Sequence, residues 1–207
     1  MDNIDIYEAD HGDTNHDALA PDLQDNNGDG KWDYARLDTD NDGKYDTVWS
    51  DGNRDGRWDY WSVDLDENGY AERIGEDTNN DGVIDYVRSD TNGDGYYDKL
   101  QYDSNNDGRP DVIKADRDFD GVHEHTFVDR DYNGFREYHA YNPTGDGVPE
   151  EVQVDRNQDG LVDYLERDRN HDNRMDQKYV DENYDGRWDY KVEDTNSNGR
   201  YDKVTRF

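Results

Sequence analysis

The chain has no cysteine, which excludes disulfides, zinc–thiolate sites and cysteine nucleophiles and leaves the redox compartment open. Apolar residues are also scarce, at 29%. None fall in a run near the roughly eighteen needed to span a bilayer as a helix, so membrane insertion is not expected. No signal peptide is read at the N-terminus, so a secreted form is expected to be a mature fragment. Positive charge is short as well: 23 Lys and Arg face 55 Asp and Glu, for a net charge of -32. That balance argues against nucleic acid as a partner, because phosphate recognition needs the opposite sign. A chain so polar and self-repelling is expected to stay disordered unless something neutralises it. Catalytic signatures are missing too. There is no glycine-rich phosphate loop, the five serines have no nucleophile context, and carboxylates are so common that no acid–base pair stands out. The expectation is a protein that is not an enzyme.

What is present is a nine-residue stretch, Asp77-Thr78-Asn79-Asn80-Asp81-Gly82-Val83-Ile84-Asp85, with side-chain oxygens at positions 1, 3, 5 and 9 and glycine at position 6. The stretch recurs from Asp25 onward every thirteen residues, fourteen times, to the end of the chain. Position 1 is Asp except at Asn142, position 3 is Asp or Asn except at Thr144, and position 5 is always Asp or Asn. Position 6 is Gly except at Asn173, and position 9 is always acidic. Ordinary turns also favour Asp, Asn and Gly, but they do not require an acid at position 9 in every unit. Alternating oxygens around a glycine turn are the arrangement that wraps a hard cation such as calcium, which takes six to eight oxygens. Magnesium fits less well, since it keeps its waters and demands a tight octahedron.

The candidate metal ligands follow from the register. In the first units they are Asp25, Asn27, Asp29 and Asp33, then Asp38, Asp40, Asp42 and Asp46, then Asp51, Asn53, Asp55 and Asp59, then Asp64, Asp66, Asn68 and Glu72. The middle units supply Asp77, Asn79, Asp81 and Asp85, then Asp90, Asn92, Asp94 and Asp98, then Asp103, Asn105, Asp107 and Asp111, then Asp116, Asp118, Asp120 and Glu124, then Asp129, Asp131, Asn133 and Glu137. The last are Asn142, Asp146 and Glu150, then Asp155, Asn157, Asp159 and Asp163, then Asp168, Asn170, Asp172 and Asp176, then Asp181, Asn183, Asp185 and Asp189, then Asp194, Asn196, Asn198 and Asp202. Fourteen divalent ions at +2 each carry +28 against -32, leaving -4. The units at Asn142, short of charge, and Asp168, without its glycine, are the expected weak sites.

Residues 1–24 read as an irregular acidic segment or degenerate cap. Ile4, Ile6 and Tyr7 suggest an edge strand there. Asp13, Asn15 and Asp17 start a loop that has Ala18 instead of glycine and Asp22 one place late. In residues 25–207 only positions 10 to 13 separate the loops. These are too few for a helix of about eleven residues but rich in Tyr, Val, Ile and Trp, so the expectation is an all-β fold of short strands. Position 10 alternates, with Tyr34, Tyr60, Tyr86, Val112, Tyr138, Tyr164 and Tyr190 in odd units and mostly charged or polar residues in even ones. The period is therefore 26 residues. A β-solenoid with two strands per coil is preferred, and an antiparallel meander with the calcium loops as hairpin turns is the alternative. Position 11, including Val48, Trp61, Ile74, Leu100 and Leu165, is the expected thin core. Trp32 with Tyr34, Trp58 with Tyr60, and Trp188 with Tyr190 are then expected as exposed pairs on one face. His123 and His125 would share a strand face, but with no third ligand in view they read as exposed polar residues.

The pattern D-x-[DN]-x-D-G-x-x-D, as in Asp38 to Asp46, resembles the calcium loops of thrombospondin type 3 repeats and integrin-like propellers, and the first nine positions of dockerin and EF-hand loops. The position-12 glutamate of the EF-hand is replaced by Arg36, Trp49, Ser62, Gly75 and other non-ligands, with Glu166 the only acid. The resemblance implies a shared ligand scheme, which also uses the carbonyl of position 7, and calcium as cofactor, up to about fourteen ions. The expected role is an extracellular, calcium-stabilised structural repeat, a spacer, surface or fibre component. The alternative is a calcium-dependent adhesion module that binds a glycan, a protein or another copy through a Tyr/Trp face.

Overall fold

A computed structural model describes residues 19–207. The expected edge strand at Ile4 to Tyr7 and the degenerate loop start at Asp13 to Ala18 lie outside the described residues. Two compact units divide the chain, Met1–Tyr97 and Asp98–Phe207. The first holds β1 (Asp22–Gln24), β2 (Tyr34–Leu37), β3 (Thr47–Ser50), β4 (Tyr60–Val63), β5 (Arg73–Glu76) and β6 (Tyr86–Ser89). The second holds β7 (Lys99–Tyr102), β8 (Val112–Ala115), β9 (His125–Val128), β10 (Tyr138–Tyr141), β11 (Glu151–Val154), β12 (Tyr164–Arg167), β13 (Gln177–Val180), β14 (Tyr190–Glu193) and β15 (Lys203–Arg206). From β2 onward each strand occupies positions 10 to 13. Among the described residues there is no helix, and none is long and apolar enough to cross a membrane.

The fold is all-β, as expected, and within each unit consecutive strands pair antiparallel in chain order. The 26-residue coil is therefore replaced by the meander. In ten of the loops the position-9 N–H closes the hairpin on the last carbonyl of the preceding strand, as from Asp33 to Gln24 (2.8 Å) and from Asp163 to Val154 (3.0 Å), whereas Glu124 N donates to Val122 O (2.9 Å). Tyr34 and Tyr60 are then two strands apart, with Ser50 opposite both. In the second unit Val154 lies between Tyr138 and Tyr164, and Val180 between Tyr164 and Tyr190.

Position 10 faces position 13 of its neighbour, and position 11 faces position 12. Since partners across a ladder share a face and successive residues alternate, position 11 points to opposite faces on odd and even strands. This register generates the 26-residue period. It also divides the expected position-11 core between two faces. Among the described residues only Ala35, Ile74, Ala140, Leu165 and Val180 are buried apolar residues.

The aromatic pairs divide in the same way. The Trp58 ring lies 6.1 Å from Trp49, and Trp188 lies 5.7 Å from Tyr179. Tyr60 faces Ser50, and Tyr190 faces Val180, on the other side of the sheet. Position 8 folds back over position 12 of the preceding strand, so Trp58 and Tyr60 do not form one surface, nor do Trp188 and Tyr190. Trp61 fills the space over Gly75 opposite it, where an added Cβ would meet the indole at 2.2 Å. Several ladder tyrosines carry cations over their rings, Arg130 at 3.9 Å from the centroid of Tyr138 and Arg156 at 4.5 Å from that of Tyr164. Asp22, the displaced acid of the degenerate loop, sits in β1 and pairs with Arg36 Nε at 3.0 Å.

Candidate metal centre

Every loop but that of Asn142 is built inward from its two end carboxylates. The position-1 carboxylate accepts backbone N–H bonds from positions 4 to 6. Asp51 takes Arg54 (2.6 Å), Asp55 (3.3 Å) and Gly56 (2.7 Å). Asp181 does the same with Tyr184, Asp185 and Gly186. The position-9 carboxylate accepts from positions 2 and 3, as Asp163 Oδ2 does from Arg156 (2.7 Å) and Asn157 (3.2 Å). Positions 3 and 5 each cap the N–H two residues on, as Asn53 does for Asp55 and Asp55 for Arg57. The acids at position 9 are thus also parts of the turn.

Among the described residues fourteen carboxylate side chains are buried, eight at position 1 and six at position 9, against the five apolar residues. The largest fully buried side chains are Asp163 and Asp181, both 1% exposed. Positions 3 and 5 lie exposed in every unit. Eleven of the fourteen loops therefore have a buried carboxylate floor, and all have an open rim.

Position 4 carries a backbone constraint that the ligand pattern does not include. Position 4 has positive φ in all fourteen loops, between 55° and 78°, and eleven of these residues are not glycine, among them Phe119, Tyr132 and Tyr184. A left-handed non-glycine residue costs about 1–2 kcal/mol and persists only where its surroundings over-determine it. The signal was partial: Gly28, Asn41, Asn80, Gly93, Asn106 and Gly145 tolerate this conformation, but the bulkier residues elsewhere masked it.

Among the described residues four groups of acids bring one oxygen each to within 4.8 Å of one another: Asp38, Asp40 and Asp42; Asp64, Asp66 and Glu72; Asp116, Asp118 and Glu124; and Asp129, Asp131 and Glu137. Oxygens on one calcium at about 2.3–2.6 Å lie at most about 4.6–5.2 Å apart, so this spacing fits a single ion. In three of the groups position 9 is Glu, whose extra methylene carries the carboxylate to the rim acids. In most other loops position 3 is Asn, and its amide nitrogen points at carboxylates, as Asn27 Nδ2 does to Asp29 (3.2 Å) and Asp33 (3.4 Å).

Two observations test whether the residues fit a cation. Asp163 Oδ1 and Asp64 Oδ1 are buried with no hydrogen-bond partner, and a buried carboxylate oxygen without a partner is unfavourable. The donor set is also all oxygen, the chemistry suited to hard ions. Electrostatics agree. Backbone N–H bonds, that of Gly30 foremost, hold Asp25 below the usual carboxylate range. Burial pushes up Asp129 and Asp194, but the N–H groups of Gly134 and Gly199 outweigh it and keep them low. Asp118 goes the other way, raised by burial and by the charges of Asp120, Glu124 and Asp116. That excess of negative charge is what a cation would relieve.

The two irregular loops keep the backbone shape. Asn142 Oδ1 accepts from Gly145 N (3.1 Å) and Thr144 Oγ1 (3.1 Å), while Glu150 is drawn to His171 Nδ1 (3.0 Å). Asn173 takes the glycine's place at φ 65° and donates to Asp168 Oδ2 (2.8 Å).

Loops two units apart lie side by side on one edge of the sheet. The position-1 N–H of one binds the position-9 carbonyl of the other, as from Asp51 to Asp33 (2.9 Å) and from Asp181 to Asp163 (2.9 Å). His123 and His125 do not share a face. His123 sits beside Thr126 and Ala140 around a cavity of about 470 Å³, and His125 meets His139 on the opposite side. Comparison with protein-family models, with curated proteins and with solved structures finds no match.

Proposed function

We propose that this protein is a calcium-stabilised structural repeat that works outside the cell as a spacer, surface or fibre component and binds about one calcium per loop. The observation that carries this reading is the identity of the best-buried side chains. They are the position-1 and position-9 carboxylates, with Asp163 both fully buried and short of one partner. A sheet with so little apolar burial does not offset a backbone ordering cost of about 1–2 kcal/mol per residue, whereas ions bound only by the folded state add directly to its stability. Calcium is favoured over magnesium because the loops offer flexible rings of oxygens. Uniform loops suit a structural role, and near-millimolar extracellular calcium would fill even loops of weak affinity, on the order of 10⁻⁴ to 10⁻³ M. Equilibrium dialysis against calcium at about 1 mM tests the reading. It predicts about ten to fourteen ions per chain, with magnesium failing to displace them at equal concentration. Uptake of only one or two ions would overturn it.

A further inference from the structure

On the face opposite the ladder tyrosines of the second unit, two histidines on adjacent strands meet. His125 on β9 and His139 on β10 are diagonal neighbours, His125 facing Tyr141 and His139 facing Phe127 across the ladder. His125 Nδ1 and His139 Nε2 are 2.9 Å apart, with ring centroids at 5.1 Å. The outer sides of both rings are held. Glu124 Oε1 lies 3.2 Å from His125 Nε2. A carboxylate accepts, so the His125 proton belongs on Nε2 and the Nδ1 lone pair points at His139. Gln153 is the side chain beside the His139 ring, and its amide nitrogen donates to Glu151 Oε1. With the His125 proton on Nε2, His139 Nε2 donates to His125 Nδ1, and a cation bound by the two nitrogens would displace that one shared proton.

We infer that His125 Nδ1 and His139 Nε2 chelate a divalent transition-metal ion, of the class of zinc, nickel or copper, at a site separate from the oxygen-lined loops. Imidazole nitrogen selects these ions and not calcium. Two metal–nitrogen bonds of about 2.0–2.1 Å, set between a right angle and a tetrahedral one, separate the nitrogens by about 2.9–3.4 Å, and the observed gap is at the lower limit. A ligating histidine whose second N–H is held by a carboxylate is the usual support of such sites, and Glu124 supplies it here. Phe127 stacks on His139 at 4.5 Å and 8°, fixing the ring plane. Arg117 lies over Phe127 at 5.5 Å, a positive charge that Glu124 and Glu151 offset. Both histidines are half-buried, and solvent water would complete the coordination. Glu124 joins this site to the loop of Asp116 and Asp118, but the two sites use different donors and different ions.

The test is zinc titration of the whole chain by calorimetry in excess calcium, with nitrogen NMR of histidine-labelled protein. One zinc per chain is expected in the native protein and in H123Q, and none in H125Q or H139Q, with calcium uptake unchanged in all. On zinc addition the resonances of His125 Nδ1 and His139 Nε2 should shift, while those of His123 and His171 stay in place. The NMR result needs no variant and decides the matter if a substitution unfolds the chain. Absence of zinc uptake in excess calcium, equal uptake in both variants, or zinc binding that leaves those two nitrogens unmoved would each overturn the site.

Discussion

Asp163 concentrates the physical problem that each loop poses. Its Oδ2 takes two backbone N–H bonds, and its Oδ1 is buried without a partner. If a calcium ion completes this oxygen, D163N should remove one bound ion and lower stability in calcium. If nothing binds there, the same change removes a buried charge and should be neutral or stabilising, because an unsatisfied buried group costs about 1–3 kcal/mol. Thermal unfolding of D163N in calcium and in chelator separates the two through the sign of the change. A second residue-scale prediction concerns Asn173, held at φ 65° where other loops have glycine. N173G should raise stability by up to about 1 kcal/mol, read as a higher denaturant midpoint. An unchanged or lower midpoint would mean that Asn173 carries no strain. The ligand positions were legible because an acid at position 9 recurs in every unit. The left-handed position 4 was not, because its occupants range from Gly28 to Arg54 and Phe119, and a backbone angle imposed by hydrogen bonds to a carboxylate leaves no single residue type behind.

The strands illustrate a different limit. Their existence was legible in four-residue runs such as Tyr86 to Ser89, but their pairing was not. A two-strand coil and an antiparallel hairpin both give a 26-residue alternation, and only the register, position 10 against 13, distinguishes them. The same register explains why Trp58 and Tyr60 part company, since a residue inside the loop does not keep the alternation of the strand that follows. At the end of the second unit, Glu193 on β14 binds Lys191 (2.7 Å) and Lys203 of β15 (2.9 Å). These two hydrogen-bonded ammonium groups lower its pKa from 4.5 to about 2. A carboxylate with a depressed folded pKa adds stability above its unfolded pKa and loses it as pH falls through the folded value. The native chain should therefore be more stable than E193Q at pH 6, with the difference shrinking between pH 4.5 and about 2. A difference that stays constant over that range would show that the lysines do not hold this carboxylate.

At the scale of the whole chain, fourteen loops at a net charge of -32 and, among the described residues, fourteen buried carboxylates against five buried apolar residues describe a protein whose interior is mostly carboxylate. Within each compact unit successive loops fall on alternate edges, and loops two repeats apart are linked by bonds such as Asp155 N to Glu137 O (2.9 Å). Ligands of one loop thus brace those of the loop two units away, and the ladders order as the loops order. The central claim is that divalent ions take the place of a hydrophobic core. Far-UV circular dichroism of the same sample in calcium and after chelation tests it most directly. The account predicts β-sheet signal in calcium, its loss in chelator, and its return when calcium is restored. A chain that keeps its sheet signal and cooperative melting in excess chelator would contradict it.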